Sequence, residues 1–213
     1  MTDRRLTIRP LTAGRWGDLQ ALFGPSGACE GCWCMWFRLS KPQFVARRGE
    51  RNRRALKGLV ASGQMPGLLA YARGEPVGWC AVEPREAYPR LARSRLLAPV
   101  DAEAAWSVTC FFVAPSWRGR GVTSVLLEAA AEHAQRSGAR VLEAYPVDRA
   151  GPASDAALYH GVASTFRRAG FEEVARRSPI RPIMRRALTR RGVSARPTTR
   201  GWAGARPPPE RRR

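Results

Sequence analysis

The sequence predicts an α/β protein in which a mixed, mostly antiparallel sheet of about six or seven strands carries helices on both faces. Two observations lead to this class. Segments with strand character alternate with segments of helical periodicity, in the order β-α-α-β-β-β-α-β-α-β-β. Apolar residues make up 44% of the 213 residues, which is enough for one core, and no apolar run approaches the 18 or more residues of a membrane helix.

The first half of the chain supplies three of these strands and two of the helices. Residues 7–11 form a short predicted strand, and residues 13–23 carry large apolar side chains at helical spacing. Residues 42–61 combine an apolar stripe with several arginines, which predicts one basic amphipathic helix. Residues 68–72 and 77–82 flank a Gly-Glu-Pro turn and predict a β-hairpin.

The second half begins with a strand at residues 106–113, where aromatic and β-branched side chains dominate. A helix follows over residues 121–137, with one apolar stripe and Gly138 at its end. The remaining predicted elements are a strand at 140–147, a short helix at 163–169 closed by Gly170, and strands at 171–177 and 182–186.

The formal net charge is +20, from 37 basic and 17 acidic residues, and it is spread unevenly. Residues 188–213 contain eight arginines and one acid, Glu210. Because this end is rich in Arg, Pro and Gly and poor in large apolar residues, we expect a folded domain at 1–188 and a disordered tail at 189–213. The charge alone fits a solvated basic surface, a nucleic-acid surface or a site for small anions.

The N-terminus and the cysteines bear on location. The first ten residues, MTDRRLTIRP, lack the apolar core of a secretory signal. Five cysteines are an odd number, which argues against a closed disulfide framework. We therefore expect a cytoplasmic protein with reduced thiols.

The segment from Phe111 to Thr123 carries the clearest chemical signal. It consists of a predicted strand, a Gly-rich loop and the start of a predicted helix. The first turn of a helix has unpaired N–H groups, and glycines let an anion approach the backbone closely. This pattern predicts a phosphate or pyrophosphate site. It matches neither a Walker A loop nor the GxGxxG fingerprint, because the required Lys-Ser/Thr and third Gly are missing.

The loop sequence Arg118-Gly119-Arg120-Gly121-Val122-Thr123 resembles motif A of the GNAT superfamily of acyl-CoA-dependent N-acyltransferases, with Thr123 in place of the usual Gly or Ala. A second segment, Phe166 to Phe171, resembles motif B of that family. The resemblance follows the element order over roughly residues 5–187 and is close over 106–175. The segment Cys32-Trp33-Cys34-Met35-Trp36 is similar to one in a largely uncharacterised subgroup of the family.

The resemblance implies acetyl-CoA, or another acyl-CoA, as co-substrate, and no bound metal. It places the ligand where two adjacent parallel strands, here 106–113 and 140–147, splay apart. Backbone groups of Phe111, Phe112 and Val113 would hold the pantetheine arm and the thioester oxygen. The residues implied to surround the pyrophosphate are Arg118, Gly119, Arg120, Gly121, Val122 and Thr123.

Acyl transfer to an amine needs a base for the ammonium group and an acid for the leaving thiolate. The resemblance makes Glu143 the first candidate for the base, with Glu83 second, although Glu143 could equally be paired with an arginine. The family's motif B Tyr falls at Phe166, which cannot donate a proton. Tyr159 is therefore the candidate acid, two helical turns away if the helix is continuous through Gly161. A proton from solvent is the alternative.

Residues 28–37, ACEGCWCMWF, form a cysteine- and aromatic-rich segment. Cys29, Cys32 and Cys34 have the spacing of part of a zinc site, which would need a fourth ligand from Cys80, Cys110, His133 or His160. Buried thiols or a reactive thiol are the other interpretations. In the family, this region shapes the acceptor pocket, which would here have an aromatic wall containing Trp33, Met35, Trp36 and Phe37.

Three functions remain open on this evidence. The first is transfer of an acetyl group from acetyl-CoA to an unidentified small-molecule or peptide amine by direct attack. The second is a catalytically idle acyl-CoA-binding module, which the missing motif B Tyr favours. The third is nucleic-acid binding through residues 42–61 and the tail, although no recognised nucleic-acid motif accompanies the charge. A membrane partner is not expected.

Overall fold

The computed structural model describes residues 6–148 and 159–188. The predicted tail at 189–213 lies outside the described residues. In these two ranges no helix has both the length and the apolar character to cross a bilayer. The elements, in chain order, are β1 (Leu6–Pro10), α1 (Trp16–Phe23), α2 (Lys41–Ala46), α3 (Glu50–Ala61), β2 (Gly67–Ala72), β3 (Glu75–Pro84), α4 (Pro89–Arg93), β4 (Trp106–Val113), α5 (Val122–Arg136), β5 (Val141–Ala144), α6 (Ala163–Arg168), β6 (Glu172–Arg176) and β7 (Pro182–Ala187).

The strands form one seven-stranded sheet in the order β1-β2-β3-β4-β5-β7-β6. Only β4 and β5 run parallel, and the other neighbours in this sheet are antiparallel. The connection between the two parallel strands passes through α5, as a parallel crossover requires. The predicted mixed, mostly antiparallel sheet is therefore confirmed.

Helices cover both faces of the sheet, as the sequence predicts. Along β3, Cys80 belongs to the apolar cluster that contains α5, whereas its neighbour Trp79 belongs to the cluster that contains α1 and α3. This alternation is the two-residue period of a strand that is buried on both faces. Gly78 permits close packing of α5, because a Cβ there would lie 2.7 Å from Cγ1 of Val122.

The two parallel strands are paired over only three residues, from Trp106 opposite Leu142 to Val108 opposite Ala144. Beyond this point β4 stays paired with β3 but no longer with β5, and the backbone N–H of Phe111 donates to the carbonyl of Tyr159 over 2.6 Å. The prediction of a strand as far as residue 147 is wrong, since β5 ends at Ala144. Pro146 follows closely and has no N–H to continue a ladder.

Two further sequence-based assignments are corrected. The single helix predicted over 42–61 is two helices, α2 and α3, and Gly49 at the start of α3 has a φ of +77°. Such a backbone angle is incompatible with a continuous right-handed helix. Helix α4 was not predicted, because five residues beginning with a proline are too few to show a periodicity.

Candidate active site

A cavity of about 560 Å³ opens beside the start of α5 and the part of β4 that is not paired with β5. Most of the residues that the sequence predicts for acyl-CoA line it: Phe111, Phe112, Val113, Arg118, Gly119, Gly121, Val122 and Thr123. Arg120 is outside this lining, and its guanidinium lies over the ring of Trp117, 5.4 Å from the ring centre. We call this space the motif A cavity.

The N-terminus of α5 forms one end of the motif A cavity. Gly121 precedes the helix with a left-handed φ of +80°, which favours glycine, and none of the described side chains caps this end. The first helical N–H with a partner inside the helix is that of Val125, which bonds to Gly121 O at 3.2 Å. The preceding N–H groups, the helix dipole and the nearby Arg168 together suit a phosphate group.

A second cavity of about 290 Å³ lies on the α1–α3 face of the sheet. Its walls include Trp36, Phe37 and Phe44, together with Thr109 and Cys110 from β4. Trp36 and Phe37 are thus two of the four aromatic or apolar wall residues predicted from the sequence. Trp33 and Met35 are instead buried in the cluster beneath. We call this space the aromatic cavity.

Tyr159 lines both cavities. Its ring stacks on Phe112 with an interplanar angle of 5°, and its hydroxyl donates to the carbonyl of Ala28 over 3.3 Å. The residue is not on α6, because the left-handed Gly161 (φ +74°) precedes that helix, which begins at Ala163. The alternative of a helix continuous through Gly161 is therefore excluded, and Tyr159 lies at the boundary of the cavities on a turn.

Phe166, at the position of the motif B tyrosine, is a core residue. It is fully buried and contacts Phe111 and Phe171 edge-to-face, with ring centres 6.0 and 5.2 Å away. Phe166 belongs to the apolar cluster around α5 and is not among the lining of either cavity. The aromatic packing explains why phenylalanine is suitable here.

Glu143, the sequence-based candidate for the base, has no solvent exposure. Its Oε1 accepts from Nε of Arg85 at 3.1 Å and from the hydroxyl of Tyr145, and its Oε2 accepts from Nε of Arg185 at 2.8 Å. Glu83, the second candidate, is ion-paired with Arg38. Neither carboxylate is among the lining of the two cavities.

The predicted cysteine segment contributes Cys29, Cys32 and Cys34 to the aromatic cavity, where Cys110 joins them. Among the residues of 6–148 and 159–188, no three His, Cys, Asp or Glu side chains are arranged to hold a metal ion. A hydrogen bond from Cys110 lowers the pKa of the Cys34 thiol, and the indole N–H of Trp79, 3.1 Å from the sulfur, adds to this effect.

Two polar residues of the aromatic cavity are not part of the predicted acceptor pocket: His160, which the sequence offers only as a possible fourth zinc ligand, and Arg181. The ring Nδ1 of His160 is 2.9 Å from the carbonyl of Thr109. Burial, and then the charge of Arg181, lowers the pKa of His160 to about 4, so its imidazole is neutral at pH 7. No sequence signal distinguishes Arg181, because all but two of the 37 basic residues are arginines.

Comparison with known proteins agrees with this geometry. A family model described as acetyltransferase (GNAT) family matches residues 33–160, which is more than half of the chain. No curated protein matches the chain significantly. Among solved structures, the chain is similar to a histone acetyltransferase HPA2-related acetyltransferase from Corynebacterium glutamicum, with 20% identity, a TM-score of 0.50, and coverage of 91% of this chain and 100% of that one.

Two other solved structures show the same fold at lower identity. The PaiA N-acetyltransferase from Thermoplasma acidophilum in complex with coenzyme A is 14% identical, with a TM-score of 0.50 over 86% of this chain and 99% of that one. A chain of the NatC complex bound to Gag peptide and CoA is 12% identical, with a TM-score of 0.51 over 87% and 99%.

Proposed function

Because the chain belongs to the GNAT acetyltransferase family, we propose that it transfers an acetyl group from acetyl-CoA to the amine of a small acceptor by direct attack. The observation that carries this proposal is the pair of cavities that share Tyr159. One has the phosphate-binding features of an uncapped helix start, and the other is a partly open space with an aromatic wall beside the same strand. We also propose a cytoplasmic location.

The residues of the motif A cavity suit the co-substrate. The backbone N–H groups at the start of α5, from Val122 to Ser124, would hold the pyrophosphate, with Arg118 and Arg168 nearby. Bound acetyl-CoA would supply an activated thioester. The pantetheine arm would bind along the edge of β4 that includes Phe111 and Val113. This edge is open because β5 is paired with β4 only as far as Val108.

The aromatic cavity would hold the acceptor amine, with Tyr159 donating a proton to the leaving sulfur. The amine must attack as the neutral base, and burial in an apolar cavity disfavours its charged form. Glu143 stays the sequence-based prediction for a protein base. To act so, its carboxylate would have to release a hydrogen bond from Arg85, Arg185 or Tyr145.

One observation favours the second candidate function, an acyl-CoA-binding module without catalysis. The N–H of Phe111, which the family resemblance assigns to the thioester region, is occupied by the carbonyl of Tyr159. If this bond persists with ligand bound, one donor for polarising the thioester is missing. The two functions share the motif A cavity and differ only in turnover.

Thiol release from acetyl-CoA, measured over a panel of amines, separates these two functions. We expect turnover with at least one small amine, and a Tyr159→Phe variant with kcat lowered by about 10²-fold or more, the usual effect of losing a general acid. Its affinity for CoA, measured by calorimetry, should not change. Tyr71→Phe is the matched control, because it removes a hydroxyl that bonds Asp18 at 2.6 Å outside both cavities.

Absence of thiol release with every amine, together with tight CoA binding, would establish the idle module. A Tyr159→Phe variant with the wild-type kcat would instead show that solvent protonates the leaving thiolate.

A further inference from the structure

The polar groups of the aromatic cavity are few and mostly positive. Arg48 and Glu30 lie at its exposed rim and pair with each other at 3.2 Å. His160 contributes a neutral ring at pH 7, because its pKa is about 4. Arg181 is therefore the one charge on the described walls that no opposite charge balances.

Arg181 differs from Arg38, Arg85 and Arg185 in its ion pairing. Arg85 and Arg185 each donate to the carboxylate of Glu143, and Arg38 pairs with Glu83. Arg181 is half-buried, and no carboxylate within residues 6–148 and 159–188 is close enough to form an ion pair with it. Burial lowers the pKa of its guanidinium, which nevertheless remains charged at neutral pH.

A half-buried guanidinium without a counter-ion has lost part of its hydration without a compensating partner. A ligand carboxylate would restore the balance through two parallel charge-assisted hydrogen bonds, for which the planar guanidinium is suited. A polycationic acceptor would be repelled by the charge of Arg181, because the carboxylate on the described cavity walls, that of Glu30, is already paired with Arg48.

The rest of the cavity defines the remaining part of the ligand. Trp36, Phe37 and Phe44 form an apolar wall, and a volume of about 290 Å³ is at the lower end of small-molecule sites. Thr109, Cys110 and Tyr159 connect this space to β4 and the motif A cavity. A ligand with its carboxylate on Arg181 and its side chain on the aromatic wall can direct an amine towards Tyr159.

We propose that the acceptor is a small amine that carries a carboxylate and an apolar or aromatic side chain, the chemistry of a free amino acid. Arg181 would determine this specificity. The inference rests on the proposed acetyl transfer, whose acceptor it names by chemical class.

Matched pairs of ligands test the carboxylate directly. Phenylalanine and 2-phenylethylamine, tryptophan and tryptamine, and leucine and 3-methylbutylamine differ only in the carboxylate. Calorimetry in the presence of CoA measures their binding without requiring turnover. We expect at least one amino acid to bind at least about 10-fold more tightly than its decarboxylated partner, as loss of a charge-assisted hydrogen bond predicts.

Variants of Arg181 assign the effect to this residue. Arg181→Gln should remove the preference for the carboxylate, and Arg181→Lys should restore part of it, because lysine keeps the charge without the fork. CoA affinity should be unchanged, since Arg181 does not line the motif A cavity. Arg140→Gln is the matched control: it makes the same change of charge at an exposed residue that lines neither cavity.

The inference is overturned if the decarboxylated amines bind as tightly as the amino acids, if none of the six ligands binds, or if Arg181→Gln leaves the preference unchanged. Failure of the proposed function looks different. In that case amino acids would bind in an Arg181-dependent manner, and no thiol would be released from acetyl-CoA.

Discussion

At the scale of single residues, Glu143 shows how burial limits the chemistry of a carboxylate. The family resemblance makes it the candidate base, and the strand predicted around it is present as β5. The sequence does not reveal that Arg85, 58 positions away, and Arg185, 42 positions away, meet there. In the fold, Glu143 is the shared counter-ion of two largely buried guanidinium groups.

Replacement of Glu143 by Gln distinguishes this structural role from a role as base. Because the change leaves Arg85 without a carboxylate partner among the described residues, and leaves Arg185 with only the exposed Asp101, we expect the free energy of unfolding to fall by about 3–5 kcal/mol, the usual effect of breaking a buried pair. Urea denaturation measures it. Glu128→Gln is the control, since Glu128 pairs with Arg186 at an exposed site and should lose at most about 1 kcal/mol.

The opposite outcome for Glu143→Gln would support catalysis. Unchanged stability, with kcat lowered about 10²-fold or more and the acidic limb of the pH–rate profile lost, would identify Glu143 as the general base.

At the scale of elements, local pattern predicts regular segments and fails where the backbone is irregular. The apolar stripe of α5 and the hairpin of β2 and β3 are local features, and both are confirmed. The loop between α1 and α2 is different, because Ala28, Glu30, Trp33 and Cys34 all have positive φ angles. Side chains other than glycine rarely adopt this conformation, so no propensity predicts it, and the wall of the aromatic cavity depends on it.

The start of α5 allows a test in which helix stability and ligand binding respond in opposite directions. Ser124 is exposed in the first turn and lines the motif A cavity. In Ser124→Glu, the new carboxylate interacts favourably with the helix dipole. The free energy of unfolding should therefore stay the same or rise by up to about 1 kcal/mol. The same charge should repel a phosphate and raise the Kd for CoA about 10-fold or more, measured by calorimetry.

Ser124→Gln is the matched control, because glutamine has the size and shape of glutamate without its charge. If the Glu and Gln variants bind CoA equally well, the anion binds away from this helix terminus.

At the scale of the whole molecule, the element order predicts a mixed sheet with helices on its faces, and the family resemblance adds the adjacent parallel strands, which the crossover through α5 places side by side as β4 and β5. The motif A loop was also predictable, since its residues are contiguous in the chain. The aromatic cavity was predictable only in part, because the family resemblance implies a wall from residues 28–37 and nothing about the rest. The cavity combines that loop with the region of α2, the middle of β4, the turn at Tyr159 and the residue before β7, and no local pattern relates these five segments.

The C-terminal boundary of the folded domain can be tested to within one residue. Leu188 is the last described residue; it is 8% exposed, packs in the cluster around α5, and donates its N–H to Arg140 O at 2.7 Å. Residues 189–213 have the composition of a segment with little apolar surface to bury. A chain that ends at Leu188 should therefore keep the Tm of the full chain. Removing Leu188 as well should cost about 2–4 kcal/mol of stability and lower the Tm by about 5–10 °C, measured by calorimetry. A large drop in Tm for the chain that ends at Leu188 would show that the basic tail packs on the domain.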